Sequence, residues 1–194
     1  MPGTARNGYL PTPAVATTLL LALAVLAGSQ LTSADSDSRE VFFGRLTELC
    51  GATFEGYSSF PPEGSFAGKL LVAEVADCGE EEIRIPFAVG ADRSRTWIVT
   101  RSDRGLLLKH DHRHEDGTPD ELTMYGGWAT EEGSSESQSF AADEHTRELI
   151  PEAATNVWTL SLAPDGTELK YSLKRHTEPR FSATLNLRTA DPTD

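Results

Sequence analysis

The sequence predicts a mainly β domain: an antiparallel up-and-down barrel of about eight to ten strands behind a short N-terminal helix. Three observations carry that expectation. Apolar and polar residues alternate with period two through most of residues 53–188. Turn-forming clusters separate the alternating runs: Ser102-Asp103-Arg104-Gly105, Glu115-Asp116-Gly117, Pro164-Asp165-Gly166 and Thr177-Glu178-Pro179. The connections are short, which favours a meander, and closing a meander removes the edges an open sheet would expose.

The chain begins with a lead whose one charge is Arg6, followed by the apolar run Ala14–Leu26. That run is shorter than the roughly 20 residues a spanning helix needs, so it reads as the core of a signal peptide. Val25-Leu26-Ala27 and Thr32-Ser33-Ala34 both suit signal peptidase. Leu26-Ala27-Gly28 is followed by Ser29, which offers no thiol for lipid anchoring, and the lead has no twin-arginine pair. Residues 1–34 are therefore expected to be a signal peptide and processing region, 35–40 a polar linker, and 41–190 one barrel domain. The expected location is periplasmic or secreted, with no stable membrane anchor after cleavage.

The chain has 17 Lys and Arg against 30 Asp and Glu, a net charge of −13. So acidic a protein lacks the basic footprint that nucleic acids and anionic membranes require. Cys50 and Cys78 are the only two cysteines, and outside the cytoplasm an even pair reads as a disulfide. Closing such a loop stabilises by roughly 3 kcal/mol in the chain-entropy picture. Two buried free thiols are the alternative.

Within the domain, Val41, Phe42, Leu46 and Leu49 fall at helical spacings, and Gly51 ends that helix. Strands follow at residues 69–76, 82–89, 95–101, 106–114, 121–125, 156–162, 168–175 and 180–188, with weaker signals at 53–57 and 135–140. Residues 143–154 look helical, limited by Pro151. Gly126-Gly127 before Trp128 marks a bend or a close backbone approach.

Turn positions fix a register. The loop 102–105 sets Val99 opposite Leu108, Trp97 opposite His110 and Arg95 opposite His112; the next turn sets His110 opposite Tyr125, His112 opposite Thr123 and His114 opposite Glu121. Phe87 falls near Trp97 and Ile85 near Val99. One face then carries Ile83, Ile85, Phe87, Trp97, Val99, Leu106, Leu108, His110 and Tyr125, and should point inward. The other carries Thr96, Lys109, Asp111 and Arg113. The inner face runs from an apolar floor through aromatic Phe87, Trp97 and Tyr125 to a polar mouth with Arg93, Arg95, His112, His114 and Glu121. Such a gradient suits a small amphiphilic ligand held by Phe87, Arg95, Trp97, His110, His112 and Tyr125.

Alternating His110, His112 and His114 share one face, so zinc, copper or haem binding is a second expectation, with Glu121 a possible further ligand. Same-face neighbours on a strand stand about 6.5–7 Å apart, so two of the three serve one ion more easily than all three. The third expectation is an interaction module using Lys109, Asp111 and Arg113. No G-x-S-x-G elbow, H-E-x-x-H helix, glycine-rich phosphate loop or C-x-x-C is present. A non-enzymatic role is therefore expected; no cofactor is clearly implied, and oligomeric state is left open.

Two stretches carry a family likeness: Arg84-Ile85-Pro86-Phe87-Ala88-Val89-Gly90 with Asp92-Arg93-Ser94-Arg95-Thr96-Trp97, and Leu108 to Gly117 with Thr123-Met124-Tyr125-Gly126-Gly127. They resemble an uncharacterised family of exported bacterial proteins, a likeness that implies export and lends no activity. More distantly, Leu49-Cys50-Gly51-Ala52-Thr53-Phe54-Glu55-Gly56 after a short helix resembles the opening of the calycins, the lipocalin and fatty-acid-binding barrels. Calycins usually show Gly-x-Trp there, whereas here Phe54 follows Gly51 by three residues. By positional analogy Arg188 would close the barrel bottom.

Overall fold

The computed structural model describes residues 1, 3–4 and 37–189. The chain divides into two units, Met1–Ala34 and Asp35–Asp194, and the expected signal peptide and its cleavage sites lie outside the described residues. No described helix is long and apolar enough to cross a membrane.

The second unit begins at a helix, α1 (Ser38–Glu48), which takes in three residues expected to be linker. Asp37 is the reason: its carboxylate accepts from the Arg39 backbone N–H and so caps the first turn. The inward stripe of α1 is Phe42, Phe43 and Leu46, all buried.

Eleven strands follow: β1 (Thr53–Phe60), β2 (Leu71–Glu74), β3 (Asp77–Cys78), β4 (Glu82–Val89), β5 (Asp92–Ser102), β6 (Gly105–His112), β7 (Tyr125–Ala129), β8 (Ser137–Ala142), β9 (Asn156–Leu162), β10 (Glu168–Arg175) and β11 (Glu178–Leu187). Helix α2 (Glu144–Leu149) and a short 3-10 turn (Pro151–Ala153) lie between β8 and β9. Apart from β2 and β3, which do not pair with each other, strands adjacent in sequence pair antiparallel; β1 pairs with β11, and β2 with β4, so the meander closes into a ten-stranded barrel. The remaining two-residue strand, β3, extends the ladder along β4 beyond β2.

The register expected from the turns holds where those turns are tight. Arg95↔His112, Trp97↔His110, Val99↔Leu108 and His110↔Tyr125 are Cα partners. Phe87 faces Arg95 and Ile85 faces Trp97, two residues from the expected pairing and still on the same face. Residues 121–125 do not form the expected strand. Met124 has φ +57°, and β7 starts at Tyr125, where the expected strand ended. His112 and His114 consequently have no ladder partners at 123 and 121; Thr123 Oγ1 instead accepts from the His112 N–H at 2.8 Å.

Gly126 and Gly127 lie inside β7, and the close approach expected of them is real. A Cβ at Gly127 would stand 1.6 Å from the Ala141 carbonyl oxygen, and one at Gly126 1.9 Å from that of Leu108. Thr146 of α2 bonds both polar groups of the Gly126 backbone at 2.7 Å, which pins α2 against β7.

Alternating strands sort the loops to two ends. At one end, α1 closes the barrel: Arg45 donates to the Ala163 and Ser135 carbonyls, and Arg101 pairs with Glu40 while lying 4.9 Å from the Phe43 ring centroid. The Cys50–Cys78 disulfide ties the end of α1 to β3, with Cα atoms 6.1 Å apart. Above α1 the interior is solid: Phe54, Leu106, Leu108, Phe140, Leu160, Leu169 and Leu185 are all buried.

Candidate functional site

The opposite half of the barrel is hollow. A cavity of about 620 Å3 is lined by inward residues of β4–β7 and β9–β11 and roofed by the loop after β1, with Pro61, Phe66 and Ala67 on its wall. Strand β10 shows how the pleat builds it. Leu169, Tyr171, Leu173 and Arg175 alternate along one face; Leu169 is wholly buried, and the next three line the cavity in order toward its rim.

Phe87, Arg95, Trp97, His110, His112 and Tyr125, the six residues expected on a binding face, all line this cavity. They are joined by residues not among those expected on the binding face: Trp158, Tyr171, Phe181, Phe66, Arg175 and Arg180. The aromatic rings form a continuous wall. Phe87 stacks on Trp97 at 4.3 Å between centroids, Trp97 meets Tyr171 at 4.4 Å, Tyr171 meets Phe181 at 5.8 Å, and Phe181 meets Phe66 at 4.9 Å. On the other side His110 stacks on Tyr125 at 4.7 Å and stands 5.2 Å from Trp158. Inward alternation along β9 and β10 was the signal that could have found Trp158 and Tyr171. Nothing in the sequence brings the loop carrying Phe66 over the mouth.

The polar groups are few and specifically paired. His110 Nδ1 lies 3.1 Å from the Tyr125 carbonyl oxygen and Nε2 2.7 Å from Tyr171 Oη. A carbonyl only accepts, so Nδ1 bears the ring proton, Nε2 accepts, and the Tyr171 hydroxyl donates to it. Burial pushes the His110 pKa down to about 3, so the ring is neutral. Burial, reinforced by Arg95, also lowers that of His112, whose Nε2 is 3.1 Å from Tyr125 Oη. The Tyr125 hydroxyl is pushed up to about 12 by burial, and that of Tyr171 well above its ordinary value. Both phenols are therefore protonated at neutral pH.

At the rim stand Arg95, Arg175 and Arg180, with Glu63 and Asp120. Arg95 pairs with Asp92 at 2.5 Å and lies 5.6 Å from the Phe66 centroid. The Asp92 carboxyl, bonded by the Ser94 N–H and by Arg95, is held well below the ordinary range. Arg175 spends its Nε on Asn156 Oδ1 at 2.8 Å. Among the described residues, neither Arg175 nor Arg180 forms an ion pair.

Three residues expected at the mouth are elsewhere. Arg93 and His114 line a separate outer groove with Asp111 and Arg113, and Glu121 is exposed away from the cavity. The register slips between Phe87 and Val89, so the β4–β5 corner turns Arg93 outward. Strand β6 ends at His112, so His114 no longer follows its alternation. It stands 4.0 Å from Asp120 and is mostly exposed.

The metal expectation for His110, His112 and His114 does not fit this arrangement. Among the described residues no group of three or more His, Cys, Asp or Glu side chains is placed to hold a metal ion. Both ring nitrogens of His110 are hydrogen-bonded within the protein, Nδ1 to the Tyr125 carbonyl and Nε2 to the Tyr171 hydroxyl, so neither is free to ligate haem iron in this arrangement. The outer face is less free than expected as well. Lys109 pairs with Asp143 at 2.6 Å beneath α2, and Asp111 is buried, paired with Arg113 at 2.9 Å.

These features define a class: a closed ten-stranded meander barrel, plugged at one end by a helix and hollow at the other. It is compatible with a calycin-like barrel. No protein-family model matches the chain, and no curated protein or solved structure is significantly similar to it. The resemblance to exported bacterial proteins therefore rests on the quoted stretches alone.

Proposed function

We propose that this protein is a non-enzymatic, extracytoplasmic binder of a small amphiphilic molecule. The observation that carries the reading is the cavity of about 620 Å3, walled by aromatic rings and rimmed by arginines. Its size falls within the usual range for small-molecule sites, and a few placed polar groups in an apolar lining are what such sites use for orientation. The ligand's apolar body lies against Trp97, Trp158 and Phe181, and its polar end reaches Arg95, Arg175 or Arg180. An extracytoplasmic location is supported by the apolar lead and by the Cys50–Cys78 disulfide, which persists in oxidising compartments.

The test is native mass spectrometry of the purified domain, combined with a thermal-shift screen of amphiphiles. A co-purifying small molecule, or a saturable rise in melting temperature, is expected. A domain that carries nothing and is shifted by no member of the screen sinks the proposal.

A further inference from the structure

We infer that the ligand of this cavity presents a hydrogen-bond donor, a hydroxyl or N–H, at its inner end, where Tyr171 Oη accepts it. The inference rests on the binding reading above and adds the polarity of the ligand's buried end. Its basis is a chain of hydrogen bonds with only one consistent direction. The Tyr125 carbonyl takes the proton of His110 Nδ1 at 3.1 Å; His110 Nε2 is then an acceptor and takes the proton of Tyr171 at 2.7 Å. A phenol has a single proton. With it committed to His110, Tyr171 Oη has only lone pairs left, and among the described residues nothing else donates to it.

Tyr171 is placed to use that capacity. It lines the cavity on the step of β10 directly above wholly buried Leu169, so it belongs to the inner part of the wall. Phe87, Trp97 and Phe181 flank it, and none of them supplies a donor near enough to bond it. An acceptor enclosed by aromatic carbon discriminates strongly. A ligand donor satisfies it, a hydrogen leaves it unpaired, and an ether oxygen meets it lone pair against lone pair. Tyr125 differs, because its hydroxyl faces the partly buried His112, whose tautomer no carbonyl fixes.

Three biphenyl carboxylates differing only opposite the acid, with hydroxyl, hydrogen or methoxy there, read this polarity on the wild-type protein. Their carboxylate suits the rim arginines. By calorimetry the hydroxyl compound is expected to bind about five- to tenfold tighter than the unsubstituted one, and the methoxy compound no tighter than the unsubstituted one. Tyr171→Phe should bring the hydroxyl-to-hydrogen ratio close to one, while Tyr125→Phe, which spares the His110 chain, should preserve it. Nile red, neutral and without donors, reports separately whether the cavity binds at all. If Nile red binds and the three carboxylates bind equally, or not at all, the inference is overturned and the binding reading survives. If the methoxy compound binds best, or the hydroxyl preference persists in Tyr171→Phe, the inference is likewise wrong. If Nile red and the carboxylates all fail to bind, both readings fall.

Discussion

Leu169 and Arg175 sit on the same face of the same strand, yet one is wholly buried and the other stands at a rim. The two halves of the barrel differ in the same way. Toward α1, branched aliphatic side chains and the phenylalanines of the helix fill the interior; toward the other end, rings line a space and leave it open. A closed sheet of ten strands encloses more room than one layer of side chains fills. The floor consumes that room with a helix, and the mouth keeps it. The packed half therefore supplies cohesion, and the hollow half is released from that duty and can carry polar groups in fixed geometry.

The floor should be where truncation costs most. Phe54→Ala is expected to lose about 3–5 kcal/mol of unfolding free energy by denaturant titration, because the side chain is wholly buried among fixed neighbours. A loss below about 1 kcal/mol would mean that the floor is loosely packed and the contrast false. Replacing both Cys50 and Cys78 by serine should cost roughly 3 kcal/mol, since the bridge restricts the unfolded chain across a separation of 28 residues. The wild type should show the same drop on reduction.

The third test is acid, and it probes the boundary between the halves. Folded His110 stays neutral down to about pH 3, while the unfolded imidazole takes up a proton near its ordinary 6.5. The unfolded state thus binds more protons between those values, so His110 stabilises fully above about 6.5. Its contribution declines as pH falls, by about 1.4 kcal/mol per pH unit. At about pH 4.5 the loss should reach roughly 2–3 kcal/mol. His110→Gln should flatten that part of the pH–stability curve, although His112 and the acids of the rim keep their own slopes. An unchanged curve would place a protonatable, solvated imidazole where the structure has a buried one.

The smallest effect on stability belongs to the mouth. Phe66→Ala, on the loop that roofs the cavity, should change unfolding free energy by about 1 kcal/mol or less, because the side chain is only partly buried. Its mark should be on binding instead, a weaker Nile red signal at unchanged fold. The reverse pattern, a large loss of stability with binding intact, would make that loop part of the core.

Local pattern and elementary chemistry determined a good deal. Period-two alternation fixes which side chains share a face, so Trp97, Val99, Leu108 and His110 could be paired correctly across tight turns from spacing alone. The two cysteines and the apolar lead together pointed to the staple the structure contains. Where the chain leaves regular pairing, the pattern loses its authority. The turn from His114 to Met124 includes a residue at positive φ, and the corner between β4 and β5 carries a bulge; each reassigns residues that alternation had sent to the mouth. Only the closure of the sheet, by β1 on β11 and β2 on β4, brings β10 round to face β6, and with it Tyr171 within hydrogen-bond reach of His110, 61 positions away. Residues so far apart in sequence carry no mutual signal within one chain. Their meeting is a property of the closed sheet, and so is the hollow between them.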